Sequence, residues 1–204
     1  MTLRVSIILL AAGASTRMRG SDKLLAEIDG ISMLRHCALT ALGSKAQTIV
    51  VLAPEKTLRQ QTLAGLNLQI VLSPDWQEGM AASIRAGMAA IAPETDAVIV
   101  ALADMPTITR AHYSALIAAY APESGREICR AQTQGGTPGH PVLFGRRFFR
   151  KLGQLVGDAG GREILREYSQ YLVDVATAGE AAACDIDTPE DLAKWRCASL
   201  PFSK

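Results

Sequence analysis

Neither charge sign is in excess: 21 lysines and arginines stand against 20 aspartates and glutamates, a formal net charge of +1. That excludes a global electrostatic attraction to nucleic acid or a membrane surface, so any anion site must be local. Long apolar runs are missing as well. Val5 to Ala12 is too short to cross a bilayer and leads into a phosphate-like loop rather than a small-residue cleavage site, so it reads as a core strand of a cytoplasmic protein and not as a signal peptide. Cysteine is scarce, and Cys37, Cys129, Cys184 and Cys197 include no CxxC pair. This pattern fits free buried thiols in a reducing compartment and offers no closely spaced ligand pairs for structural zinc. Repeats, linkers and low-complexity tracts are absent. With 204 residues, 49% of them hydrophobic, the chain is expected to fold as one domain, 1–204, removing roughly 70% of its unfolded-chain surface from water.

Short apolar runs are present at Val5 to Leu10, Thr48 to Leu52, Leu68 to Leu72 and Ala97 to Leu102, with helical spacing between them at Met33 to Leu42 and Met80 to Ile91. This is a βαβα order. Continuous rather than alternating hydrophobicity suits strands covered on both faces, so the expectation is an α/β, Rossmann-like three-layer sandwich with a mostly parallel sheet. After Tyr120 the rhythm changes. "QTQGGTPGHPVLFG" and "LVGDAGGREIL" read as loops of the kind used for substrate. In "DIDTPEDLAKW", Thr188 can N-cap a helix with Pro189 at its first position and Glu190 and Asp191 at the positive end of its dipole. His36 and His112 are expected on helix surfaces, and Trp76 and Trp195 in packing.

The loop after the first strand, "LLAAGASTRMRGSDKLL", is where the chemistry begins. In an open parallel sheet this loop commonly cradles phosphate. Neither GxGxxG nor the P-loop pattern ending in Lys and Ser or Thr occurs there, which weighs against an NAD-dependent oxidoreductase. What remains is Leu10, then the small residues Ala11, Ala12, Gly13, Ala14 and Ser15, which let a ligand approach the backbone, then Arg17 and Lys23. That layout suits several phosphates in a row, or else a solvated basic turn. In "VIVALADMP" a buried strand ends near Asp104, either a Mg²⁺ ligand or a loop cap. Asp185 and Asp187 lie two apart and point the same way if extended. Gly79 and Met80 stand at a helix start with Ser83 one turn in, where free amides could meet a nucleotide; Ser83 could equally bond its own backbone. In "GDAGGR", Gly160 and Gly161 can form an amide nest while Arg162 grips a phosphate by its fork, or Asp158 can simply cap a helix. His140 stands in a loop poor in core residues.

The stretch "LAAGASTRMRGSDK" resembles the LAAGxSxRMGxxK signature of the molybdenum cofactor nucleotidyltransferases and related NTP transferases. "GMAASIRAG", "LADMP", "GHPVLF", "GDAGGR" and "DIDTPEDL" follow in the order of the cytidylyltransferase branch. In that family RMG is followed by two residues and then Lys; here Arg19 makes the loop one residue longer, so Lys23 is assigned to the triphosphate as a whole. The resemblance implies a fold of nucleotide-diphospho-sugar transferase type and transfer of CMP from CTP to a phosphate-bearing acceptor, molybdopterin, with pyrophosphate released. It implies Arg17, Lys23 and Asp104 as catalytic residues and Leu10, Ala11, Ala12, Gly13, Lys23, Gly79, Met80 and Ser83 around the nucleotide. His140, Asp158, Gly160 and Arg162 would meet the acceptor, and Asp104 and Asp187, with Asp185 as alternate, would hold Mg²⁺. Implied partners are the NTP, the acceptor and a molybdoenzyme, with no nucleic acid and no membrane. The alternatives are GTP or a sugar phosphate as substrate, and a non-catalytic maturation chaperone that binds the cofactor.

Overall fold

The computed structural model describes residues 3–15, 18, 21–158 and 160–199, the side chains of 196–199 excepted. In chain order the elements are β1 (Val5–Leu10), the small hairpin β2 (Glu27–Ile28) and β3 (Ile31–Ser32), α1 (Met33–Leu42), β4 (Gln47–Leu52), α2 (Thr57–Thr62), β5 (Gln69–Leu72), α3 (Met80–Met88), β6 (Ala97–Leu102) and α4 (Arg110–Ala119). There follow β7 (Ile128–Gln132), β8 (Pro138–Gly145), α5 (Phe149–Leu152), α6 (Arg162–Glu167), β9 (Leu172–Ala176) and α7 (Pro189–Ser199). A seven-stranded sheet has the order β5-β4-β1-β6-β8-β7-β9. β4 and β6 pair in parallel with β1, β5 with β4 and β9 with β7, while β8 runs antiparallel to both β6 and β7.

Successive residues of a strand point to opposite faces, which explains why apolar runs rather than alternation mark the central strands. Ile7 and Leu9 of β1 enter one core with Met33, Leu34 and Ala38 of α1 and Leu116 of α4. Ile8 enters the other with Ala81 and Ile84 of α3, Leu152 of α5 and Ile164 of α6. Helices therefore cover both faces of the sheet. β5 departs from this pattern: as an edge strand it leaves Ile70 and Leu72 exposed.

Three expectations need correction. The stretch from Gln132 to Gly145 is not one loop, because Val142, Leu143 and Phe144 are buried and make 138–145 a strand. Only 133–137 turns, closed by Thr133 N–H donating to Thr137 O and Gly136 N–H to Thr133 O. Pro141 lies just beyond the last β6 pair, Val100 with Val142, where no amide is needed from it. His112 is buried rather than on the surface: its Nδ1 accepts from the Thr109 amide at 3.0 Å, and burial pushes its imidazole below the usual range. Cys37 and Cys129 are buried free thiols, but Cys184 is only half-buried; the side chain of Cys197 lies outside the described residues. At the start of α7, the Asp191 amide donates to Thr188 Oγ1 at 3.1 Å and the Thr188 amide donates back to the Asp191 carboxylate at 3.0 Å, a reciprocal cap.

α3 lies close on β1 because Gly87 has no side chain. A Cβ there would stand 2.5 Å from Cγ2 of the buried Ile8. Gly87→Ala gains about 1 kcal/mol of helix propensity but overpacks a filled core, a cost of about 1–3 kcal/mol. Overpacking is expected to outweigh the gain in propensity, with thermal unfolding showing a midpoint roughly 2–4 °C lower; an unchanged or raised midpoint would mean that α3 does not depend on this approach.

Candidate functional site

The chain leaves β1 for β4 and β5 on one side and then crosses to β6 on the other. Where strand order reverses in this way, the loops at the carboxyl ends diverge and leave a crevice. A cavity of about 1010 Å³ opens there. Its walls are Leu10, Ala11, Ala12, Gly13, Ala14 and Ser15 after β1, Leu102, Asp104 and Met105 after β6, and Pro138, Gly139 and His140 at the start of β8. Trp76, Gln77, Gly79, Met80 and Ser83 line the side toward α3, and Asp158, Arg162, Ala182, Ala183, Asp185 and Asp187 close it. Trp76, expected in packing, is thus part of the cavity wall. Gly160 is not, and Arg17 lies outside the described residues.

Three distant parts of the chain meet at one point in this cavity. Lys23 Nζ donates to Asp104 Oδ2 and to Asp187 Oδ1, each at 2.6 Å. Asp104 is carried two residues past the end of β6. Asp187 is brought beside it because the Ile186 amide donates to Asp104 O at 2.9 Å while the Ile186 side chain is buried, which leaves Asp185 and Asp187 both facing the cavity. Burial opposes the charge on Lys23, but the Asp104 and Asp187 carboxylates outweigh it and hold the ammonium above its usual range. Asp104 Oδ1 is buried and has no hydrogen-bond partner among the described residues. Two converging carboxylates, one with an unsatisfied oxygen, suit a small hard cation, since Mg²⁺ takes one or two carboxylates and completes its shell with water and phosphate oxygens. No group of three or more His, Cys, Asp or Glu among the described residues is arranged to hold a metal ion by itself.

The loop that carries Lys23 is held by a residue that sequence reading passed over. Arg59, within α2 and 0% exposed, donates Nε and one Nη to the two oxygens of Asp22, both at 2.8 Å. Its guanidinium also reaches Ala11 O at 2.5 Å and Ser15 Oγ at 3.0 Å. Asp22 in turn accepts from the Leu24 amide at 3.1 Å, capping the short 3-10 turn Lys23–Leu25. One fork therefore ties both ends of the loop together. The signal in the sequence was a lone Asp among cations, with no indication of which arginine would answer it.

On the opposite wall, small residues allow loops to interlock. Gly79 has φ +112°, and a Cβ on it would meet the Asp158 carboxylate and Gly157 O. The Ala81 amide donates to Gly157 O at 3.1 Å, so the start of α3 does not leave that donor free. Asp158 consequently leans on Gly79 and does not cap α6, which has no side-chain cap. A Cβ on Gly160 would come 2.8 Å from Met80 Sδ, and one on Gly161 would come 2.9 Å from the Phe144 ring. The two glycines dock this loop against α3 and β8. His140 stands on β8 and not in a loop; its Nδ1 is buried without a partner among the described residues, and burial holds its imidazole below the usual range.

Comparison with known proteins agrees with this architecture. The MobA-like NTP transferase domain matches residues 7–172. The chain is 32% identical over 199 residues to nicotine blue oxidoreductase of Paenarthrobacter nicotinovorans, covering 92% of this chain and 94% of that protein. It is 26% identical over 195 residues to molybdenum cofactor cytidylyltransferase of Escherichia coli (strain K12), covering 92% and 93%. Among solved structures, Rv0371c of Mycobacterium tuberculosis H37Rv superposes with a TM-score of 0.82 at 24% identity, covering 96% of this chain and 98% of that one. Its manganese complex gives 0.77 at 23% identity, covering 97% and 100%. The fold is of nucleotide-diphospho-sugar transferase type.

The Arg59–Asp22 pair gives an expectation for stability. Removing one partner of a buried pair costs about 3–5 kcal/mol, because the other charge is stranded. Asp22→Ala strands a guanidinium that is 0% exposed, whereas Arg59→Met strands a carboxylate whose side chain is 17% exposed. Asp22→Ala should therefore lose about 3 kcal/mol or more in denaturant titration, and Arg59→Met, which also gives up the bonds to Ala11 O and Ser15 Oγ, at least as much; unchanged stability of Asp22→Ala would show that the pair does not hold the loop.

Proposed function

The chain belongs to the family of MobA-like NTP transferase domains, and from that premise we propose that it transfers CMP from CTP to a phosphate-bearing acceptor, molybdopterin cofactor, with release of pyrophosphate. The observation that carries this reading is the meeting of Lys23 with Asp104 and Asp187, at 2.6 Å each, in the crevice below the β1 loop. An acceptor phosphate oxygen attacks the α-phosphorus, a new P–O bond forms, and the bond from the α-phosphorus to the bridging oxygen breaks. No side-chain nucleophile is needed, because the acceptor phosphate is already an anion. Catalysis then rests on alignment and charge neutralisation.

In this reading Leu10, Ala11, Ala12 and Gly13 present backbone to the nucleotide, and Gly13 is open enough for close approach, with nothing within 4 Å of where a Cβ would stand. Gly79, Met80 and Ser83 shape the base and ribose side. Lys23 and Arg17 hold the departing β and γ phosphates. Arg162 and His140 receive the acceptor; Asp158 and Gly160 fix the loop that carries Arg162. Asp104 and Asp187 would hold Mg²⁺, which supplies charge neutralisation across the phosphates, and the manganese complex of the mycobacterial neighbour supports a divalent cation in this fold. The decisive experiment incubates the protein with each NTP, Mg²⁺ and molybdopterin cofactor and identifies the product dinucleotide by mass.

The relative named as an oxidoreductase favours a second reading, hydride transfer. NADH oxidation with no pyrophosphate from any NTP would put that reading first. Cofactor binding with neither reaction would point to a maturation chaperone.

Two substitutions test the roles. Asp104→Ala should fold, because a half-buried carboxylate past a strand end supports little packing, yet it should lose more than tenfold in turnover at saturating Mg²⁺, a barrier increase above about 1.4 kcal/mol. Retention of more than a tenth of the rate would sink the assignment. Ala12 lines the cavity and is 3% exposed; in this reading its methyl narrows the space open to a purine. One methyl group discriminates by about 1–3 kcal/mol, roughly 10–200-fold. Ala12→Gly should lower the ratio of kcat/KM for CTP over GTP without reversing it, and wild type that uses both nucleotides equally would overturn the choice of CTP.

A further inference from the structure

One oxygen of each carboxylate that would hold a divalent cation is already in use, and only Asp104 Oδ1 is left without a partner among the described residues. Asp104 Oδ2 and Asp187 Oδ1 both accept from Lys23 Nζ at 2.6 Å, the length of strong charge-assisted hydrogen bonds. The three side chains are 13%, 21% and 22% exposed, so water screens these contacts poorly. An ammonium and a divalent cation cannot share the space between the two carboxylates, because each would repel the other across it. Lys23 is also mounted so that its tip can move while its base stays fixed. Asp22, gripped by the buried Arg59 fork, caps the turn at Leu24, which leaves the side-chain torsions of Lys23 to swing the ammonium toward or away from the carboxylates.

We infer that Lys23 is a resident counter-ion of the Asp104–Asp187 pair. It withholds the pair from free divalent metal and yields it only when a polyphosphate draws the ammonium away. Its second half rests on the nucleotide reading above; its first half, competition between Lys23 and metal, does not. A site open only in a minor population has its apparent affinity reduced by that population. The coupling is reciprocal: whatever moves Lys23 off the pair tightens metal, and metal on the pair frees Lys23 for phosphate. Lys23 is therefore expected to affect its two ligands with opposite sign, weakening free metal and strengthening triphosphate. A residue that merely supported the loop would affect both in the same direction.

The test is a Mn²⁺ titration with no nucleotide present, read by the electron paramagnetic resonance signal of unbound Mn²⁺. Lys23→Met should bind Mn²⁺ about tenfold tighter than wild type or more, corresponding to an open population of about a tenth or less in wild type. Lys23→Arg, which keeps a cation, should remain weak. Asp104→Asn added to Lys23→Met should abolish the gain, placing the metal on the carboxylate pair. The same Lys23→Met protein should bind the α,β-methylene analogue of CTP, without metal, more weakly than wild type by a larger factor than it loses for CMP. If Lys23→Met is unstable alone but its melting temperature is restored by Mn²⁺, the inference is supported; if it fails to fold with or without Mn²⁺, Lys23→Gln carries the same titration. Metal affinity in the substituted protein equal to or below wild type overturns the inference, even if wild type releases pyrophosphate. Tighter Mn²⁺ together with no pyrophosphate from wild type would instead overturn the transferase reading and leave the counter-ion in place.

Discussion

The cavity depends first on a buried arginine. Arg59 places a guanidinium with no exposed surface beneath the loop after β1, where it binds Asp22, the Ala11 carbonyl and the Ser15 hydroxyl together. A loop made of small residues contributes few apolar contacts to fix its own shape, and its backbone must stay open on the cavity side to be useful. The fork supplies from below the order that side-chain packing would supply elsewhere, and it does so with several donors held in one rigid plane. Because Lys23 follows Asp22 directly, this contact also fixes where Lys23 enters the charged centre.

A second constraint is the lack of side-chain volume on the opposite wall. Gly79, Gly160 and Gly161 each sit where a Cβ would collide with a neighbouring loop, helix or strand. Gly139 is tighter still, since a Cβ there would fall on the Ala182 carbonyl in the turn that leads to Asp185 and Asp187. The segments read as nucleotide-facing and acceptor-facing are thus in direct contact, Gly157 O accepting from Ala81 at the start of α3. The hydrogen bond and the close glycine contacts couple the positions of the two segments.

Charge is concentrated where the sequence average is neutral. The described part of the cavity gathers Lys23 and Arg162 with Asp104, Asp158, Asp185 and Asp187. The site therefore does not attract an anion by a simple basic field, and a polyphosphate would be received through local pairing and metal rather than by long-range steering.

The sequence by itself determined the central strands, the α1 and α3 segments and the cap of α7, because hydrophobic period and capping chemistry are local properties written in neighbouring residues. It also marked Lys23 after the β1 loop, Asp104 at the end of an apolar run and the closely spaced Asp185 and Asp187 as candidates for chemistry, while the preference for Asp187 over Asp185 came from the family resemblance. It could not read β8, where Gly and two prolines masked a strand that is stabilised by its neighbours β6 and β7. It placed His112 on a surface because nothing in a helix period reports which face another helix will cover. Only the tertiary structure decided that Arg59 answers Asp22 across 37 positions and that Lys23 spans 81 positions to Asp104 and 164 to Asp187. Contacts at such separations are chosen by chain topology, through the crossover of β1 and β6 and the Ile186 amide on Asp104, and no local pattern of residues encodes them.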